Sequence, residues 1–136
     1  MHNVNWFLLG IIAAGPLLAV ANKISYPSAQ KLLGMSLLGA AVIYIGFALV
    51  QGNRTWLLIE FVGVPVYATF YWLSNRYSVI WLALGWLLHP VWDVALHLKG
   101  PGAHIAPGWY VIACSSFDII VAGYIIYRSR LALKNP

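Results

Sequence analysis

Five long apolar runs, separated by short polar turns, are the feature that most restricts how this sequence can fold. The chain has 136 residues, of which 62% are hydrophobic and only 8% are charged, whereas soluble domains carry about 25% charged residues. A helix needs about 20 apolar residues to cross a bilayer, and its backbone groups then satisfy one another. We therefore predict an all-α integral membrane bundle of five transmembrane helices. The predicted helices are Val4–Ala21, Leu32–Val50, Thr55–Leu73, Ser78–His97 and Gly108–Tyr127.

The breaks between the runs contain turn-forming residues and leave no room for a separate soluble domain. They are Tyr26–Ser28, Gln51–Asn53, Ser74–Arg76 and Lys99–Gly102, each with the Gly, Pro, Asn or Ser that turns favour. Membrane β-strands are about ten residues long and alternate in polarity, and these runs are longer and uniformly apolar. We predict a single transmembrane helical domain over residues 1–136.

The eight basic residues lie near the ends of the predicted helices and set the expected orientation. One side of the membrane receives six of them, namely Lys23, Lys31, Arg76, Arg128, Arg130 and Lys134, and the other side receives Arg54 and Lys99. The positive-inside rule then predicts a cytoplasmic C-terminus and an N-terminus outside. Such a distribution indicates contact with membrane lipids. It forms no basic-aromatic surface, so we expect no nucleic-acid partner.

All three acidic residues of the chain, Glu60, Asp93 and Asp118, lie inside apolar runs. A carboxylate at the centre of a bilayer costs about 2.5–3.5 kcal/mol on the insertion scale. Intramembrane acids therefore mark functional sites by default. With the predicted orientation, the acids and the nearby His and Cys residues all fall in the outer half of the membrane. These candidate site residues are Glu60, His89, Asp93, His97, Cys114 and Asp118.

The spacing of His89, Asp93 and His97 predicts a ladder on one face of the fourth helix. Residues four apart lie one turn above another, and two ligands at that spacing can hold one metal ion. His89 and His97 are about 12 Å apart along the helix axis, too far to share an ion. We therefore predict His89 and Asp93 as metal ligands, and His97 as a residue at the mouth of the site or a partner of Asp93.

Neighbouring helices are expected to complete the metal site. Cys114 and Asp118 repeat the four-residue spacing on the fifth helix, and Glu60 lies on the third. Mixed His and carboxylate ligands suit zinc first, and iron or manganese next, and a thiolate favours zinc. Asp118, Glu60 and His97 are the candidate catalytic groups. The alternative is that the same residues only join helices, at about 0.6–2 kcal/mol for each contact.

The stretch from Gly85 to Asp93 resembles a bacterial family of small membrane proteins that is catalogued only as a domain of unknown function. The shared pattern is Gly-Trp-x-x-His-x-x-Trp-Asp-x-x-x-His, followed by Cys-x-x-x-Asp, and here it runs from Gly85 to His97 and from Cys114 to Asp118. Members of that family often carry two adjacent His where this chain has Leu96-His97. The resemblance implies a multi-helix fold in the bacterial cytoplasmic (inner) membrane and supplies no activity.

Three classes of function fit these residues. The first is a metal-dependent membrane enzyme that acts on a lipid or another hydrophobic small molecule. The second is a metal-free isomerase or cyclase that uses the buried acids as general acids and bases. The third is a non-enzymatic ion carrier or an accessory subunit of a membrane complex. Five short helices enclose little space, so a homo-oligomer is a further expectation.

Overall fold

Within residues 2–134, the protein folds into five α-helices, and a π-helical turn follows the fourth. The computed structural model describes the backbone of residues 2–134 and the side chains of residues 3–132, so the side chain of Lys134, counted above for orientation, lies outside the described part. The helices are α1 (His2–Lys23), α2 (Tyr26–Val50), α3 (Arg54–Arg76), α4 (Ile80–Asp93) and α5 (Gly108–Lys134). No strand occurs within residues 2–134, which confirms the predicted all-α class.

By length and composition, four helices of the described chain can cross a membrane, namely α1, α2, α3 and α5. The fourth predicted span, Ser78–His97, is divided in the structure. Its α-helical part ends at Asp93, and a π-helical turn over Val94–Leu98 follows it. The Lys99 N–H donates to the Val94 carbonyl, five residues back, at 3.0 Å, which is the wider π spacing. The turn carries His97, so it changes the direction in which that side chain points.

Polar side chains cap the N-termini of α2 and α3. Ser25 is the N-cap of α2, and its hydroxyl accepts from the Ser28 N–H. Asn53 is the N-cap of α3, and its side chain accepts from the Trp56 N–H at 3.1 Å. Both satisfy one of the free N–H groups at a helix start. Gly52, with φ of 65°, makes the turn before Asn53 in the left-handed region that glycine adopts freely.

The helices are arranged as an open arc in the order α1, α5, α4, α3 and α2. Each helix packs on its neighbour in that order, whereas α1 and α2, at the two ends of the arc, touch at only a few positions. The core is built largely of small residues and leucines along the inner faces. The arc leaves a gap between α1 and α2, and this gap opens into a cavity.

Glycine permits the closest helix contact, between α1 and α5. A Cβ atom at Gly10 would lie 1.9 Å from the Ala113 carbonyl oxygen. The Ser116 hydroxyl, on the next turn of α5, donates to the Phe7 carbonyl at 2.7 Å. Small residues that let backbones approach, together with interhelical hydrogen bonds, are the contacts on which membrane helices rely.

Arg128 joins the far end of α5 to the end of α1. Its guanidinium donates to the carbonyls of Ala21 and Ile24, which belong to the last turn of α1 and the link after it. The last carbonyls of a helix have no partner inside the helix, and a cation there also complements the helix dipole. Arg128 therefore fixes α1 against α5, and its guanidinium also lies over the Tyr26 ring at the start of α2.

Candidate functional site

Two pairs of residues on adjacent helices meet in one buried cluster. His89 and Asp93 lie one turn apart on α4, and Cys114 and Asp118 lie one turn apart on α5. One ligand atom from each of the four residues lies within 4.8 Å of the other three. His89, Asp93 and Asp118 are fully buried, and Cys114 is partly buried. We call these four residues the His89 cluster.

The imidazole of His89 is placed between the two aspartates. Its Nδ1 atom lies 2.8 Å from Oδ2 of Asp118 and 3.0 Å from Oδ2 of Asp93. A single ring hydrogen cannot serve both oxygens well, and it is directed at Asp118. The Cys114 thiol is 3.7 Å from the same Asp118 oxygen. Two potential ligand side chains, His89 and Cys114, therefore contact the same oxygen of Asp118.

Charge balance gives a reason for a cation in the His89 cluster. A buried net charge is costly unless it is paired. With both Asp93 and Asp118 ionised, a protonated His89 would leave the cluster with one excess negative charge. Two arrangements would balance the charge of the two carboxylates. One is a divalent ion with a neutral His89, and the other is a protonated His89 with one further proton on an aspartate. The cluster therefore needs either a metal ion or a retained proton.

The spacing of the four ligand atoms fits a metal ion. Bonds of about 2.0–2.3 Å in a tetrahedral zinc site place its ligand atoms about 3.3–3.8 Å from one another. The atoms of the His89 cluster lie within 4.8 Å, so small side-chain rotations would bring them to that separation. The donor set of one imidazole, two carboxylates and one thiol also matches the ligand types of zinc.

Unpaired polar atoms around the cluster point to the same conclusion. Within the described chain, neither oxygen of Asp93 makes a hydrogen bond, although the residue is completely buried. The hydroxyls of Tyr44 and Tyr67 are also buried without a partner, and both rings lie within 6 Å of the His89 ring, at 5.7 and 5.1 Å. Buried polar groups are almost always paired. The Asp93 carboxylate, which makes an ion-pair contact of 3.0 Å with His89 but no hydrogen bond, is therefore a position where a ligand is expected.

Glu60 and His97 form a second buried pair that is separate from the His89 cluster. Oε1 of Glu60 lies 2.5 Å from Nε2 of His97, and Nδ1 of His97 contacts the Gly102 carbonyl at 3.2 Å. The Tyr44 ring stacks on the His97 ring with centroids 4.7 Å apart. We had predicted Glu60 as a group of the metal site and His97 as a mouth residue or a partner of Asp93. The structure instead pairs the two with each other, below the loop that contains Gly102.

An apolar cavity reaches the His89 cluster from the gap between α1 and α2. Its volume is about 940 Å³, and its walls come from α1, α2 and α5 with Trp86 of α4. Apart from Ser36, Tyr110, Cys114 and Asp118, its lining is apolar. Small-molecule sites are typically clefts of about 300–1,000 Å³ with a few polar groups. Cys114 and Asp118 thus belong both to the cluster and to the cavity wall.

The tyrosines around the two buried sites are not among the residues predicted from the sequence. Tyr67 lies seven residues after Glu60 on α3, which is two helical turns on the same face, and this spacing was a usable indication. Tyr44 lies in the apolar run of α2, where nothing in the spacing distinguishes it from its neighbours. Its position between His89 and His97 is evident only from the packing of α2 against α4.

The fold and the site define an all-α protein with four apolar helices and a buried His/Asp/Cys cluster beside a cavity. The sequence matches, over residues 5–131, the profile of a family described as a family of unknown function, DUF6010. The chain belongs to this family, which confirms the predicted membership of an uncharacterised family. The comparisons with curated proteins and with solved structures give no match.

Proposed function

We propose that this chain is an integral membrane protein and a metal-dependent enzyme that acts on a lipophilic substrate. One observation carries the proposal. Cys114 and Asp118 line an apolar cavity of about 940 Å³ and at the same time belong to a group of four potential metal ligands. A substrate in the cavity would therefore have its polar end against the ligand set.

Each residue of the His89 cluster has a role in this proposal. His89 and Asp93 hold the ion from α4, and Cys114 holds it from α5. With these three protein ligands, a zinc ion there would keep an open position and would supply a Lewis acid and an activated water for attack on an ester or amide. Asp118, which has a carboxylate oxygen 2.8 Å from His89, would accept a proton from the attacking water. Glu60 and His97 lie outside the cluster and take no part in this chemistry.

We also propose an orientation of the helices in the membrane. Helices α1, α2, α3 and α5 are apolar enough to cross a bilayer, and α4 with its π-helical turn completes the bundle. We place the chain in the bacterial inner membrane, with its N-terminus outside and its C-terminus on the cytoplasmic side. The larger group of basic residues then lies on the cytoplasmic side, as the positive-inside rule requires. The His89 cluster would then be reached from the outer leaflet.

The first test is the metal content of the purified protein. Wild type prepared in mild detergent without chelators is expected to contain about one zinc, iron or manganese ion per chain, because His89, Asp93 and Cys114 supply the three protein ligands of a typical catalytic site. His89→Ala and Asp93→Ala each remove a ligand and should lower the content to near zero. Elemental mass spectrometry on monodisperse fractions measures this directly.

Glu60→Gln is the matched control, because it alters a buried carboxylate outside the cluster and should keep the metal. Stoichiometric metal in His89→Ala and Asp93→Ala would contradict the assignment of ligands. Wild type that remains free of metal after incubation with zinc and gel filtration would remove the metal-dependent function altogether.

A metal-free acid/base enzyme is the second candidate. The observation in its favour is the hydrogen bond of 2.8 Å between His89 Nδ1 and Asp118 Oδ2, because an imidazole oriented by a carboxylate is a common general base. In this candidate Asp93 keeps the proton that balances the cluster. The metal measurement separates the two, since this candidate expects no metal in any variant.

A further inference from the structure

The gap between α1 and α2 leads into the cavity from the side of the bundle and not from its ends. We propose that the cavity binds an uncharged lipid, whose apolar part lies between α1 and α2 and whose hydroxyl, ester or amide end lies at Cys114 and Asp118. This inference rests on the proposed function and specifies its substrate class.

The apolar part of the ligand follows from the shape and lining of the cavity. Leu9 on α1 and Ile43 on α2 lie at its wall, and their neighbours Leu8 and Val42, which are outside the lining, are exposed apolar residues, so the lining is continuous with the apolar surface. Along α5 the lining extends from Trp109 to Asp118, which is about 13 Å of helix. A ligand can therefore pass from a bilayer to the cluster without crossing a polar surface.

The polar groups at the cavity wall exclude an anionic head group on the ligand. The lining residues of the described chain include no lysine, arginine or histidine. Phosphate recognition uses Arg, Lys or several N–H donors, whereas Asp118 presents a carboxylate here. In the proposed metal centre the Asp93 carboxylate and the Cys114 thiolate already balance a divalent ion, and Asp118 adds a negative charge. An anionic head group would then be buried without a partner, which is costly.

Small residues leave room for the ligand and offer a test. A Cβ atom added at Gly39 on α2, which lines the cavity, would meet nothing within 4 Å. Gly46 on the same helix also has open space at its Cβ position, but it lies outside the lining of this cavity. Both glycines are exposed. Gly39→Leu therefore fills the cavity, and Gly46→Leu is the matched change outside it.

The experiment uses photoreactive probes on the full chain in detergent micelles. The first probe is a monoacylglycerol with a diazirine in its chain, and the second is the phosphate monoester with the same chain and diazirine. The monoacylglycerol is expected to label peptides of α1, α2 and α5 that line the cavity. Gly39→Leu should reduce this labelling at least about tenfold, which corresponds to a loss of about 1.4 kcal/mol, and Gly46→Leu should leave it near the wild-type level. The phosphate probe should label the same peptides weakly.

Metal content measured on the same samples separates this inference from the proposed function. Unchanged labelling of Gly39→Leu, or preferential labelling by the phosphate probe, overturns the inference even where metal is present. Specific labelling of a protein that contains no metal supports the lipid site and contradicts only the metal-dependent function. If Gly39→Leu does not yield folded protein, Ala13→Phe fills the cavity from α1 and the same outcomes apply.

Discussion

Replacement of His97 by leucine is expected to lower the free energy of unfolding by about 3–5 kcal/mol, the usual cost of removing one partner of a buried ion pair. Glu60 is 3% exposed and His97 is 1% exposed, and the pair is separated by only 2.5 Å. Leucine would leave the Glu60 carboxyl buried beside an apolar side chain. Thermal unfolding in detergent, followed by tryptophan fluorescence, measures the change.

The double variant Glu60→Leu/His97→Leu is the control. Since it removes both buried polar groups, it should recover much of the stability that the single variant loses. The metal content should remain at the wild-type level in the double variant, because neither residue belongs to the His89 cluster. A double variant less stable than His97→Leu would show that the pair does more than satisfy its own members.

Replacement of Gly10 by alanine is expected to lower the free energy of unfolding by about 1–3 kcal/mol, the cost of adding atoms to a closely packed site. The added Cβ atom would lie 1.9 Å from the Ala113 carbonyl oxygen, so α1 and α5 must move apart. Backbone atoms cannot rotate away as a side chain can. The same unfolding assay applies.

Gly15→Ala on the same helix provides the comparison. A Cβ atom at Gly15 meets nothing within 4 Å, and alanine favours a helix over glycine by about 1 kcal/mol. We expect this variant to be as stable as wild type or more stable. Equal destabilisation by the two substitutions would mean that the contact of α1 with α5 is not as close as the structure has it.

The sequence predicted the helices well where an apolar run ends at turn residues, and less well where helices extend beyond the run. Pro27 was interpreted as part of a break, but α2 begins at Tyr26, because proline is tolerated in the first turn of a helix. The fifth helix was predicted to end at Tyr127 and continues to Lys134. Arg128 lies in this extension, and its side chain is held by carbonyls of α1 and the link after it, a tertiary contact that the sequence does not reveal.

The site was predictable as far as regular helical spacing holds. The four-residue spacing of His89 with Asp93, and of Cys114 with Asp118, placed two pairs on helix faces, and the packing of α4 on α5 brings them together. The same rule extended to His97 predicts a residue at the mouth of the site or a partner of Asp93. The π-helical turn after Asp93 widens the helix, so His97 no longer follows the α-helical face and meets Glu60 of α3. A π-helical turn depends on tertiary packing, and the spacing of these residues does not indicate it.

The contact between His97 and the Gly102 carbonyl determines the tautomer of that imidazole. A carbonyl oxygen can only accept a hydrogen bond. The Nδ1 atom of His97 that faces it at 3.2 Å therefore carries a hydrogen. The other ring nitrogen, Nε2, faces the Glu60 carboxyl oxygen at 2.5 Å. The connection between α4 and α5 therefore fixes the orientation of a ring inside the bundle, and this orientation presents Nε2 of His97 to Glu60 of α3.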